Sequence, residues 1–203
     1  MDAGHVRRSQ LWGVRTTRAG RRLTGEGQTL GITFRPAMFS PLIGAAMASF
    51  TDRVVPLSRA LGPTAQAWGK AVHEAKDFAA KTRVTEAFLA PLLPPPSRAL
   101  LEIRDLTERV AADRALVRVD DLVAASGLDA RALQRAFRQY VGVSPKWVIQ
   151  RFRLHEAAAQ VRAPRPPPLA ALAMGLGYAD QAHFSRDFKR AVGATPHAFA
   201  SRA

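Results

Sequence analysis

Residues 172–196, LAMGLGYADQAHFSRDFKRAVGATP, decide how this chain folds. The run reads as a helix, a tight turn, a second helix and a stop. Leu172 and Met174 to Leu176 supply an apolar first helix, Gly177 permits a sharp exit, and Asp180 stands where the next helix needs an N-cap. Phe184, Phe188 and Ala191 recur at helical spacing, which makes one side of the second helix a core stripe. At about 100° per residue, His183, Arg186 and Arg190 share a narrow arc on the opposite side.

The pattern occurs twice. Residues 122–145, LVAASGLDARALQRAFRQYVGVSP, place Gly127, Leu133, Arg135, Phe137, Gly142 and Pro145 against Gly177, Phe184, Arg186, Phe188, Gly193 and Pro196. The offset is 50 residues at the first glycine and 51 beyond it, so the second turn is one residue longer. In the earlier unit Arg131, Gln134, Arg135 and Arg138 form the outer face, Leu133, Phe137, Tyr140 and Val141 the inner one, and Asp129 the expected cap. Between the units, Ser144 and Pro145 offer a cap and a first-turn proline, and nothing breaks the run to Val161. One linking helix of roughly 18 residues, about 27 Å long, is expected there. A turn of DNA measures about 34 Å, so such a helix suits two basic helices placed near successive major grooves.

On these motifs, LDARALQRAFRQYVGVSP and GYADQAHFSRDFKRAVGATP, residues 98–203 resemble the DNA-binding domain of AraC-family transcriptional regulators. In that family two helix-turn-helix units are joined by a long helix. The resemblance implies base or groove contacts from Arg131, Gln134 and Arg135 in the first unit. Gln181, Ala182, His183 and Arg186 hold the matching positions in the second, where Ala182 has no polar reach. Arg138, Lys146, Lys189 and Arg190 are the expected phosphate contacts, and Arg151 and Arg153 are either phosphate contacts or solvated surface. Double-stranded DNA is the implied partner. RNA polymerase, an unidentified small-molecule effector and a second copy of the chain are further candidates, and no membrane is involved.

Charge agrees with that expectation. The 203 residues carry a formal net charge of +14, with a sequence pI near 11.5. From Arg131 to Ala203 there are 12 Lys plus Arg against 3 Asp plus Glu, whereas Leu30 to Pro96 is closer to neutral. A charge run alone is usually a solvated face. Here the basic residues lie opposite apolar stripes in both units, which favours an anionic partner. The competing expectation is a helical protein-interaction module whose basic faces are solvation only, and another is a truncated regulator that binds DNA only non-specifically.

Other chemistries find no support in the sequence. There is no cysteine, hence no disulfide, thiolate metal site or cysteine nucleophile, which removes methyl-accepting DNA-repair proteins with the same helix-turn-helix domain. His5, His73, His155, His183 and His197 lack ligand spacing, and Ser126, Ser144 and Ser185 suggest no triad. Neither metal nor cofactor is expected, and no enzyme. No apolar run reaches 18 residues, and the Arg-rich first 22 residues lack the amphipathic pattern of a transit peptide, so the expected location is cytoplasmic.

The expected fold is mainly α: an all-α double helix-turn-helix domain with a long linking helix, preceded by a small α+β region with a few short strands. Strands are expected at Leu11–Thr17, Arg21–Leu23 and Thr29–Phe34, with Gly25 and Gly27 in a hairpin turn. Prolines 36, 41, 56 and 63 divide the next stretch into turns and short helical pieces, and Thr64 to Leu92 turns helical. Asp120 and Asp121 mark a helix start, and Leu101, Leu106 and Val110 a buried stripe. The expected division is an incomplete sensor-like region at 1–93, a proline-rich linker at 94–97 and the DNA-binding domain at 98–203. Its helix-turn-helix units fall at about 119–142 and 169–193. GITFRPAMFSPLIG and SFTDRVVPL resemble the sensor-like regions upstream of this domain in some regulators, of which only the last strands are present. Met1 is then either a late start in a longer reading frame or the start of a remnant.

Overall fold

The computed structural model describes residues 9–18 and 28–201. Its first strand, β1 (Gln10–Trp12), pairs antiparallel with β2 (Val54–Pro56), placing Leu11 opposite Val55. This corrects the strand expectations. The extended run from Leu11 is shorter than predicted, and Thr29–Phe34 forms no strand. The Arg21–Leu23 strand and the glycine hairpin lie outside the described residues. The partner of β1 comes from a stretch that Pro56 had marked as broken. Pro56 closes the strand, at the last paired position, where a missing N–H does least harm. Gly13 then lets the chain pass so close to Phe50 that a Cβ would collide with its carbonyl. Asp52 joins the two segments by accepting hydrogen bonds from the Thr16 hydroxyl and, at 2.8 Å, from the Thr16 N–H. Those two bonds, the hydroxyl's first, hold its carboxyl below the ordinary range. Phe39, Ile43 and Met47 form a small core under this sheet, with Leu11, Phe34, Phe50 and Leu61 packed around it.

Three helices follow: α1 (Leu57–Leu61), α2 (Thr64–Glu74) and α3 (Phe78–Leu89). Asp77 caps α3 by accepting from the Ala80 N–H at 2.7 Å. α2 buries Ala65 and Trp68, and Trp68 stacks on Phe88 of α3 with ring centres 4.6 Å apart. An irregular stretch over 93–97 leads to Ser97, which caps α4 (Arg98–Ala112). The buried stripe of α4 is Leu100, Ile103, Leu106 and Val110; Leu101 lies one position off it and is half-buried.

The remaining helices are α5 (Val119–Ser126), α6 (Ala130–Tyr140), α7 (Pro145–Gln160), α8 (Leu169–Gly175), α9 (Gln181–Val192) and α10 (Pro196–Ala200). The predicted linking helix is α7, and its two halves serve two cores. Val148 and Ile149 join Leu100, Ile103, Val110, Leu122, Leu133 and Phe137, while Leu154, Ala157 and Val161 join Leu172, Leu176, Tyr178, Phe184 and Phe188. Met174, expected within the apolar first helix of the second unit, is 73% exposed. The N-terminal region reaches the first of these cores directly, because Ala37 is buried within it.

Candidate nucleic-acid interface

Each helix-turn-helix unit turns on a left-handed glycine. Gly127 ends α5 with φ 67° and Gly177 follows α8 with φ 79°, values that side-chain-bearing residues rarely adopt. The next helix starts on an acidic cap in both units. Asp129 accepts from the Ala132 N–H at 2.8 Å, and Asp180 from the His183 N–H at 2.6 Å. The latter bond is the main reason that the Asp180 carboxyl is held below its ordinary range. Burial of Leu133 and Phe137 on α6, and of Phe184 and Phe188 on α9, fixes which face of each helix points outward.

The expected base and phosphate contacts on α6 and α9, and Lys146, lie on the outside. Arg131, Gln134, Arg135 and Arg138 are exposed on α6, and Gln181, His183, Arg186, Lys189 and Arg190 on α9. Lys146 is exposed in the first turn of α7, beside the Ser144 cap, which accepts from the Trp147 N–H at 3.2 Å. Ala182 is exposed too, and adds no hydrogen-bonding group.

Arg153 is a correction. It is neither a phosphate contact nor solvated surface, being only 2% exposed. Its guanidinium donates to the Val110 carbonyl and, at 3.0 Å, to the Asp113 carbonyl, while Nη1 pairs with Glu156 at 2.8 Å. Glu156 in turn pairs with Arg114 at 2.9 Å. A guanidinium thus satisfies carbonyls at the C-terminal end of α4, where cations are favoured. It locks α7 to α4. The signal was present in the sequence, because Ile149, Arg153 and Ala157 follow one another at four-residue spacing on the buried side.

Asp187 carries no expectation from the sequence. It lies on α9 between the exposed Arg186 and the buried Phe188 and is itself only 7% exposed. Oδ1 accepts from Arg190 Nη2 at 2.6 Å, and Oδ2 lies 3.6 Å from His183 Nε2. Tyr178 packs edge-on against both the His183 and Phe184 rings. Burial first, and the Asp187 carboxylate second, push its phenol well above the usual range. The Tyr178 hydroxyl is buried without a well-formed hydrogen bond, so its interaction with Asp187 is chiefly electrostatic.

The N-terminal region touches the ends of both outward-facing helices. The Thr51 hydroxyl donates to the Gly142 carbonyl at 2.6 Å, just beyond α6. A Cβ on Gly142 would come within 3.1 Å of the Met47 carbonyl oxygen. At the corresponding Gly193, beyond α9, a Cβ would run into the Arg18 side chain.

Comparison with known proteins separates the two ends of the chain. Residues 122–202 match a helix-turn-helix domain family, and residues 2–56 match a domain of unknown function, DUF6597. The HTH-type transcriptional regulator MtrA of Neisseria gonorrhoeae is 30% identical over 78 residues, which cover 38% of this chain and 26% of that protein. The chain therefore spans about a quarter of that relative's length. The xylose-binding transcription activator XylR superposes with a TM-score of 0.40 at 18% identity, covering 53% of this chain and 28% of that one. A likeness that loose adds nothing to the fold described above.

Proposed function

With residues 122–202 an AraC-type helix-turn-helix domain, we propose that the chain is a sequence-specific DNA-binding regulator of transcription, laying α6 and α9 in successive major grooves of one duplex. The carrying observation is that both helices bury a phenylalanine-anchored stripe and turn a row of cations outward. The 16 residues of α7 span about 24 Å. With the turns at its ends, that separation is commensurate with the roughly 34 Å helical repeat of DNA.

In this reading Arg131, Gln134 and Arg135 address base edges in one groove, and Gln181, His183 and Arg186 in the next. Arginine pairs best with guanine, and glutamine with adenine. Arg138, Lys146, Lys189 and Arg190 bind phosphates and fix the register. The amides at the start of α7 add a dipolar contact beside Lys146. We further propose the functional division into a region at 1–93, a linker at 94–97 and the DNA-binding domain at 98–203, acting in the bacterial cytoplasm.

Fluorescence anisotropy against the chain's own upstream DNA and a shuffled duplex of equal length tests the reading. Preference for the upstream duplex at physiological salt is expected, with log affinity falling by about 0.9 for each phosphate neutralised as log salt rises. Equal binding to both duplexes that vanishes with salt would leave only electrostatic attraction and overturn it.

A further inference from the structure

We infer that Asp187 is a positioning residue for sequence discrimination by α9, holding His183 and Arg190 in fixed orientations on the outward face without touching DNA itself. The inference rests on the DNA-reading assignment proposed above.

A carboxylate on a helix that faces phosphates is unfavourable unless it is neutralised, and burying one is costly unless it is paired. Asp187 meets both conditions by lying beneath its partners. Arg190 sits one turn ahead and His183 one turn behind, at i+3 and i−4, the spacing at which helical side chains meet. The 2.6 Å bond to Arg190 is short and charge-assisted. The 3.6 Å contact with His183 is too long for a hydrogen bond and orients the ring by attraction between the carboxylate and the ring dipole. In the tautomer that carries its hydrogen on Nε2, toward the carboxylate, Nδ1 is the acceptor. Held edge-on by Tyr178 with ring centres 5.2 Å apart, an imidazole so oriented selects the exocyclic amines of adenine or cytosine in the major groove.

The first unit makes the point by contrast. At the offset of 51, Ala136 stands for Asp187, Ala132 for His183 and Gln139 for Arg190; at the offset of 50, Leu128 stands for Tyr178. Together these four residues line an open groove of about 370 Å³ against Ile103 of α4. The acid-centred cluster is therefore an addition to the second unit and no requirement of the helix-turn-helix frame.

The test uses the full chain and a duplex that the wild-type protein selects from a randomised library, with a shuffled duplex as reference. Asp187→Asn removes one negative charge, so affinity for the shuffled duplex is expected to hold or rise. Preference for the selected duplex falls about tenfold, in keeping with one lost specific contact, at positions protected by α9 only. In a double-mutant cycle, Asp187→Asn has no further effect on preference once His183 and Arg190 are both alanine. Unchanged preference, additive losses, or parallel loss on both duplexes together with a lowered melting temperature would overturn the inference. Arg186→Ala serves as the separate control. If it loses preference and Asp187→Asn does not, only the positioning role fails; if the wild type selects no duplex, the DNA-reading assignment fails and the inference with it.

Discussion

The two helix-turn-helix units share a frame and differ in how that frame is held. The first packs α5 and α6 against α4 and the front half of α7, and the N-terminal region adds Ala37 to the core and Thr51 to the end of α6. The second, α8 and α9, has the rear half of α7 and the short α10. There Phe188 meets Phe199 at 5.6 Å, and the Arg162 guanidinium lies 3.7 Å over the Phe199 ring. One unit is built into the body of the molecule, and the other is closed by an aromatic chain running from Tyr178 through Phe184 and Phe188 to Phe199. A repeated sequence motif thus specifies the turn glycine and the acidic cap between two helices, while non-repeated neighbours differ between the two pairs.

The largest expected effects break the frame itself. Phe188→Ala should cost about 3–5 kcal/mol and open the second unit, with hydrogen exchange accelerating over α8 and α9 and not over α4 to α6. Phe137→Ala should cost a similar amount and release the 47–51 stretch together with the first unit. Unchanged melting in either variant would mean that the inner and outer faces are reversed. Arg153→Met comes next. It removes the donor to the Val110 and Asp113 carbonyls and one of the two arginines on Glu156, which keeps Arg114, so a loss in urea unfolding of about 1–3 kcal/mol for each carbonyl left unsatisfied is expected. Since α7 is shared, both units should be affected. A loss confined to one unit would show that α7 does not couple them.

These elements were unequally legible in the sequence. The turn glycines, the acidic caps at Asp129 and Asp180 and the extent of α7 are local signals, and they could be read directly. Arg153 and Asp187 carried local signals too, each lying beside a core stripe, but a charged side chain is expected outside, and its burial depends on partners that the helix alone does not name. Arg153 finds carbonyls of α4; Asp187 finds cations on its own helix and a tyrosine from the preceding turn. The β1–β2 pairing was least legible, because it joins segments more than forty residues apart through a strand that ends on a proline. Thr29–Phe34 has strand-like composition and no partner in the described sheet; its Phe34 packs edge-on against Phe39 instead.

A smaller effect sharpens the difference between the units at high pH. Tyr178 ionises less readily in the folded protein than in the unfolded chain, where a phenol titrates near 10. Above about pH 10 the unfolded state releases this proton and the folded state keeps it, so stability falls as pH rises further and is unaffected below. Tyr178→Phe should remove that part of the alkaline loss. It should be close to neutral at pH 7, because the hydroxyl it deletes lacks a well-formed bond. Thermal melts of both proteins from pH 8 to 11 check this, and identical alkaline slopes would contradict it.

The most direct test of the central claim is footprinting of the wild type, Arg135→Ala and Arg186→Ala on one selected duplex. Two protected patches about one helical turn apart are expected, with Arg135→Ala weakening one patch, Arg186→Ala the other, and both variants melting as the wild type does. A single patch, or the same footprint from all three proteins, would contradict it.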